Sequence, residues 1–188
     1  MRKPCVFLIC GYARAGKDTA AEAIESALPG AKVLHFADLL KSAVNRYFTA
    51  LGIESVNVKE QFDKVRFRDL LVEAGKAARS VDRDVFANDV ADRARYAILS
   101  GQSVVIPDWR YLNELEAVQR KVRAPIVRIL IERRGQAPAN EEEARSIDAI
   151  VGCVTFDHVL SFDSGDIGAI RETAAGIAWQ HATEVPAA

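Results

Sequence analysis

An apolar run, Cys5 to Cys10, passes without a break into Gly11-Tyr12-Ala13-Arg14-Ala15-Gly16-Lys17-Asp18-Thr19. A stripe of Ala20, Ile24, Ala27 and Leu28 at helical spacing follows. Strand, G-x-x-x-x-G-K loop and amphipathic helix in that order leave few folds open. The glycines let the backbone curl until successive N–H groups face one point. The start of the helix adds a partial positive charge there, and Lys17 brings a full one. The segment reads as a cradle for the phosphates of a nucleotide, with Gly11, Ala13, Arg14, Ala15, Gly16, Lys17, Asp18 and Thr19 as candidate ATP-binding residues.

Further β-rich runs recur between helical patterns: Lys32 to Phe36, Ser103 to Pro107, Ile126 to Ile131 and His158 to Phe162. With the first strand, they predict a five-stranded parallel sheet flanked by helices. Phe86, Val90, Ala94, Ala97 and Ile98 make one helical stripe, and Leu70, Leu71 and Ala74 another. Pro29-Gly30 ends the first helix, Gly101 closes the helix before the third strand, and Asp163 or Ser164 caps the last helix, which runs to about His181. The tail Glu184 to Ala188 reads as frayed. A length of 188 residues without an internal repeat predicts a single domain over 1–188.

Charge narrows the partners. Against 26 acidic residues stand 25 lysines and arginines, so no large positive field is present to hold a nucleic acid indiscriminately. The opening apolar run is far shorter than a membrane span or a signal core, which predicts a cytoplasmic protein without a membrane partner. Cys5, Cys10 and Cys153 form no C-x-x-C pair and read as buried reduced thiols. His35, His158 and His181 lie too far apart in the chain for a zinc motif, so any metal is expected on oxygen ligands.

The residue after Lys17 is Asp18, with Thr19 next, where such loops usually carry Ser or Thr as a magnesium ligand. A carboxylate suits Mg²⁺ chemically, yet an acid in a first turn also serves the helix dipole, and both readings stand. The third strand emerges into Asp108-Trp109-Arg110. In open α/β sheets ligands gather beyond the carboxyl ends of strands, so Asp108 is a candidate to order magnesium-bound water or orient an acceptor. Arg110 is a candidate to grip the acceptor's phosphate. The plainer alternative makes Asp108 the N-cap of a helix starting near Arg110. The charged stretch from Glu132 to Asp148 fits a mobile lid or a solvated loop leading into an acid-started helix.

The loop with its Asp-Thr ending, Arg68-x-Leu70-Leu71 leading to Gly75, and Pro107-Asp108-x-Arg110 followed by Glu114 together resemble the bacteriophage deoxynucleoside monophosphate kinases. These belong to the P-loop nucleoside and nucleotide kinase superfamily. Ile129 to Gly135 is similar to that family's strand entering Arg-x-Gly, and Asp157 to Gly165 to its closing strand and turn. Departures are Phe162 where relatives tend to have Asn, and Ser164 between Asp163 and Gly165.

The resemblance implies a three-layer P-loop kinase fold with an acceptor-binding helical region at about 37–100 and a short lid at about 132–148. It implies transfer of phosphate from ATP to a deoxynucleoside 5′-monophosphate, with Mg²⁺ as cofactor and Asp18, Thr19 and Asp108 as its candidate ligands. Lys17, Asp108, Arg110 and Arg133 become the candidate catalytic residues. Asp38, Lys41, Arg68, Arg79 and Arg110 become the candidate acceptor contacts, although Asp38 also reads as an N-cap and Lys41 as a solvated face. For a phage protein the compartment would be the host cytoplasm, with a homodimer left open. A kinase of another phosphorylated metabolite, such as dephospho-coenzyme A, and a non-catalytic ATP-binding module are the rival readings.

Overall fold

The computed structural model describes residues 3–182, apart from the side chain of Gln61. The tail from Glu184 lies outside them. Five strands, β1 (Val6–Cys10), β2 (Lys32–Val33), β3 (Val104–Trp109), β4 (Ile126–Arg133) and β5 (His158–Phe162), form one sheet in the order β2-β3-β1-β4-β5. Every pairing is parallel. All five expected strands are present, with β2 cut to two residues because the chain leaves the sheet after Leu34, whose N–H still bonds the Val105 carbonyl, and enters a helix at Ala37.

β1 shows why it belongs in the middle. Each of its residues is buried, as a parallel strand covered on both faces requires. Val6, Leu8 and Cys10 enter a core with Val90, Ala94, Trp109, Leu115, Val118, Ile147 and Ile150. Phe7 and Ile9 enter the opposite core with Ala20, Ile24, Ile170, Ala174 and Ile177. Burying one such large side chain stabilises the fold by about 1.5–3 kcal/mol.

The first core is covered by α5 (Val85–Leu99), α6 (Leu112–Lys121) and α7 (Glu141–Cys153), and the second by α1 (Lys17–Ala27) and α8 (Ile167–His181). This is a three-layer α/β arrangement. Between β2 and α5 stand α2 (Ala37–Ala50), α3 (Gln61–Arg66) and α4 (Arg68–Val81). Among the described residues of these three helices only Val44 of α2 and Gly75 of α4 are buried, so the helices themselves are mostly exposed or half-buried.

Two local expectations are corrected. The last helix starts one residue after Asp166, not at Asp163 or Ser164. The Asp166 carboxylate accepts the Asp163 N–H, while the Asp163 side chain is taken by Arg134 at 2.7 Å. Cys153 ends α7 exposed, whereas Cys5 and Cys10 are buried and burial pushes the Cys10 thiol up to about 12. Among the described residues no helix is long and apolar enough to cross a membrane.

Candidate active site

In the strand order, β1 separates β3 from β4, so the chain diverges at the carboxyl end of β1 and opens a crevice there. The loop of residues 11–16 lines it. Gly11 turns at φ +145, and a Cβ there would lie 2.1 Å from the Ile131 carbonyl oxygen of β4. Gly16 turns at φ +104 with the Ile170 side chain of α8 filling the space a Cβ would need. Arg14 is the one non-glycine residue at positive φ among those described, at 65°. Positive φ at Arg14 and Gly16, alternating with a negative φ at Ala15, makes the kind of concave run of N–H groups that binds anions.

The Lys17 ammonium folds back over this loop and donates to the carbonyl oxygens of Gly11 and Tyr12, each at 2.7 Å. Burial and then the nearby Arg110 charge lower its pKa. An ammonium packed beside another cation gains from an arriving anion. Asp18 and Thr19 lie in the first turn of α1, and neither side chain has a hydrogen-bond or ion-pair partner among the described residues. Carboxylate and hydroxyl there form a hard oxygen pair of the kind Mg²⁺ takes beside phosphates.

Asp108 sits on a bulge. The pairings Leu8 with Ile106 and Cys10 with Trp109 leave Pro107 and Asp108 together opposite Ile9. Pro107 offers no N–H to the ladder, which makes a bulge the tolerable place for it inside a sheet. The re-aimed Asp108 carboxylate accepts the N–H groups of Phe36 at 3.1 Å and Ala37 at 3.4 Å, with His35 Nδ1 at 3.9 Å. Burial pushes its pKa up, and His35 and the two N–H groups oppose the rise. Asp108 therefore caps α2 across the sheet, and the alternative in which it caps the helix after Arg110 is corrected. That helix starts at Leu112, and Glu114 in its first turn accepts the N–H groups of Arg110 at 2.8 Å and Tyr111 at 3.0 Å. Burial raises the Glu114 carboxyl to about 8.

The acceptor candidates separate into two groups. Arg79 lies over the rings of Phe86, at 4.9 Å, and Tyr111, at 5.2 Å. It lines a cavity of about 310 Å³ with Arg83, Phe86, Tyr111, Asn113 and Glu114. Arg110 precedes Tyr111 at the same edge, with a half-exposed side chain. Asp38 is instead held by the His35 N–H and by Arg93, both at 3.3 Å. Lys41 on α2 and the exposed Arg68 at the start of α4 are absent from the cavity lining and have no hydrogen-bond or ion-pair partner among the described residues.

The stretch at 132–148 divides into the end of β4, a turn through residues 134–140, and the first two turns of α7. Arg133 donates to Gln136 within the turn, and Arg134 pairs with Asp163, so neither guanidinium rests on the loop of residues 11–16. Asn140 caps α7 by accepting the Glu143 N–H at 2.8 Å.

Residues with no assigned role in the sequence reading complete the site. Glu143, 5% exposed, accepts the Ala13 N–H at 3.0 Å with one carboxylate oxygen and the Ala139 N–H at 2.7 Å with the other. The Arg110 guanidinium stands 3.8 Å from the oxygen that faces Ala13. Asp148, further along α7, faces the Tyr12 hydroxyl. The signal for Glu143 was its place in Asn140-x-x-Glu143, the pattern of a capping box, although its carboxylate reaches beyond the cap into the loop. The signal for Tyr111 and Phe86 was weak, since an aromatic in a sequence more often belongs to a core.

No protein-family model matches the chain, and no curated protein matches it in sequence. Solved structures do match in fold. A gluconokinase from Sinorhizobium meliloti 1021 superposes with a TM-score of 0.52 at 15% identity, over 97% of this chain and 95% of that one. An unliganded sugar kinase from Janibacter sp. HTCC2649 superposes with a TM-score of 0.51 at 12% identity, over 95% of this chain and 93% of that one. At such identities the likeness shows the fold, and it spans nearly the whole of each molecule.

Proposed function

We propose that the chain transfers the γ-phosphate of ATP to a phosphorylated acceptor, and that the acceptor is a deoxynucleoside 5′-monophosphate. The observation that carries the reaction is the loop itself: an anion cradle with Lys17 folded across it, beside a second cation, Arg110. Phosphoryl transfer needs little from a protein beyond positioning and charge neutralisation, and this loop offers both. The two solved structures of like fold are named as kinases, which agrees with this reading.

In this reading the triphosphate settles on residues 11–19 and draws the Lys17 ammonium from the Gly11 and Tyr12 carbonyls to the β and γ oxygens. Asp18 and Thr19 fit Mg²⁺ by donor type; when bound it would neutralise charge on the β and γ phosphates. Asp108, already holding two N–H groups, fixes the start of α2 and thereby the floor of the acceptor side. Arg110 grips the acceptor phosphate. Arg133 leaves Gln136 and swings over the transferring group as the turn at 134–138 closes and excludes water.

A nucleotide acceptor is favoured by the cavity beside Arg110. Its Arg79, Arg83, Phe86 and Tyr111 combine cations with flat rings, which suits a phosphate carried on a planar base. A second reading, a kinase of another phosphorylated metabolite such as dephospho-coenzyme A, draws on the same cations, and an acceptor panel separates the two. The test is to follow the label from γ-labelled ATP in the presence of each deoxynucleoside monophosphate. Label in a nucleoside diphosphate supports the proposal; label confined to ATP and inorganic phosphate contradicts it.

A further inference from the structure

Glu143 brings together three parts of the site that are far apart in sequence. Its carboxylate is buried and meets the Ala13 N–H on the loop after β1, the Ala139 N–H before α7 and, at 3.8 Å, the Arg110 guanidinium after β3. Lys17, which packs on the same loop, is held in its field as well. Burying a carboxylate is costly unless each oxygen is satisfied, and here each oxygen accepts one backbone N–H. Helix α7 is already capped by Asn140, so capping alone does not explain where this side chain points.

We infer that Glu143 is a positioning residue: its charge holds the Arg110 guanidinium at a set place relative to the phosphate loop, so that donor cradle and acceptor cation keep one register. At 3.8 Å the pair is an attraction without a close hydrogen bond, which leaves the guanidinium free to turn its donors toward an incoming phosphate. Without the Glu143 charge, Arg110 would lose its one ion-pair partner among the described residues, keeping the attraction of Asp108 against the repulsion of Lys17, and would move outward into solvent.

Two measurements test this, and only the second rests on the phosphoryl-transfer reading. First, the rate at which phenylglyoxal modifies Arg110 is followed by peptide mass spectrometry in the wild type, Glu143→Gln and Glu143→Asp, with Arg79 as internal reference. The inference expects Arg110 to react about fivefold faster in Glu143→Gln. Glu143→Asp keeps the charge and gives up reach, so its Arg110 rate should stay near wild type while its thermal midpoint falls. Equal Arg110 rates in the wild type and Glu143→Gln would overturn the inference, as would faster modification in Glu143→Asp alone.

Second, a double-mutant cycle pairs Glu143→Gln with Arg110→Ala and reads kcat/KM for the acceptor. Glu143→Gln should lower kcat/KM about tenfold when Arg110 is present and less than twofold when it is absent. Equal losses in both backgrounds would make Glu143 a structural anchor and overturn the inference. If the wild type phosphorylates no acceptor, the kinase reading falls, while the phenylglyoxal result still decides the position of Arg110.

Discussion

Gly11 and the Ile131 carbonyl approach so closely that a Cβ on residue 11 would stand 2.1 Å from the oxygen. The first glycine of the loop is thus fixed by the neighbouring strand β4, as well as by the turn it makes. Gly11→Ala would combine a backbone clash with a positive φ, and should destabilise the fold by about 3 kcal/mol. Urea unfolding checks this; a midpoint equal to that of the wild type would mean the loop can move off β4.

Arg110 carries a half-exposed guanidinium at the edge of the cavity, and its removal should be felt by the acceptor more than by ATP. Arg110→Ala should raise KM for the acceptor by roughly tenfold if the contact is the same in ground and transition states, or lower kcat by a similar factor if it strengthens during transfer. Steady-state kinetics with both substrates varied separates the outcomes. A variant with both constants unchanged would remove Arg110 from the acceptor site.

Arg133 and Arg134 are neighbours with different partners, Gln136 in the turn and Asp163 after β5. If closure delivers Arg133 to the transferring phosphoryl group, Arg133→Ala should slow turnover by roughly 1,000-fold, with Arg134→Ala much milder. Circular dichroism of both variants should match the wild type. Equal effects of the two substitutions would assign the stretch a purely structural role.

The Glu114 carboxyl is raised to about 8 by burial, so the folded state favours its protonated form. The sign follows: this contribution to stability is complete below the ordinary carboxylate range and is lost as pH rises through about 8. Glu114→Gln cannot titrate and should lose less stability than the wild type between pH 5 and pH 9. Denaturant midpoints at both ends of that window test it, and parallel declines in the two proteins would contradict it.

The sheet was legible because its strands are short apolar runs between turn residues, and the loop because glycine spacing is read directly from the chain. Arg79 lines the cavity and Arg110 directly precedes its Tyr111, whereas Asp38 is committed to Arg93. Asp108 shows why its role was harder to read. Its direction is set by a bulge at Pro107 and its partners lie on the β2–α2 junction, 71 and 72 residues away. Proline inside an apolar strand was the available hint. Glu143 was harder still, since its capping-box position after Asn140 sets it apart from Glu141 and Glu142 but does not show that its carboxylate turns inward to Ala13, 130 residues earlier. Long-range pairing of a buried charge is a property of the packed molecule.

The most direct test of the central claim is ADP formation from Mg²⁺-ATP against dTMP, dGMP, dCMP, dAMP, their ribose counterparts and dephospho-coenzyme A, in the wild type and in Lys17→Ala. Stimulation by one or more deoxynucleoside monophosphates is predicted, with turnover reduced roughly 100- to 1,000-fold in Lys17→Ala while its fold is retained. ATP binding without stimulation by any acceptor, or equal rates in the two proteins, would contradict it.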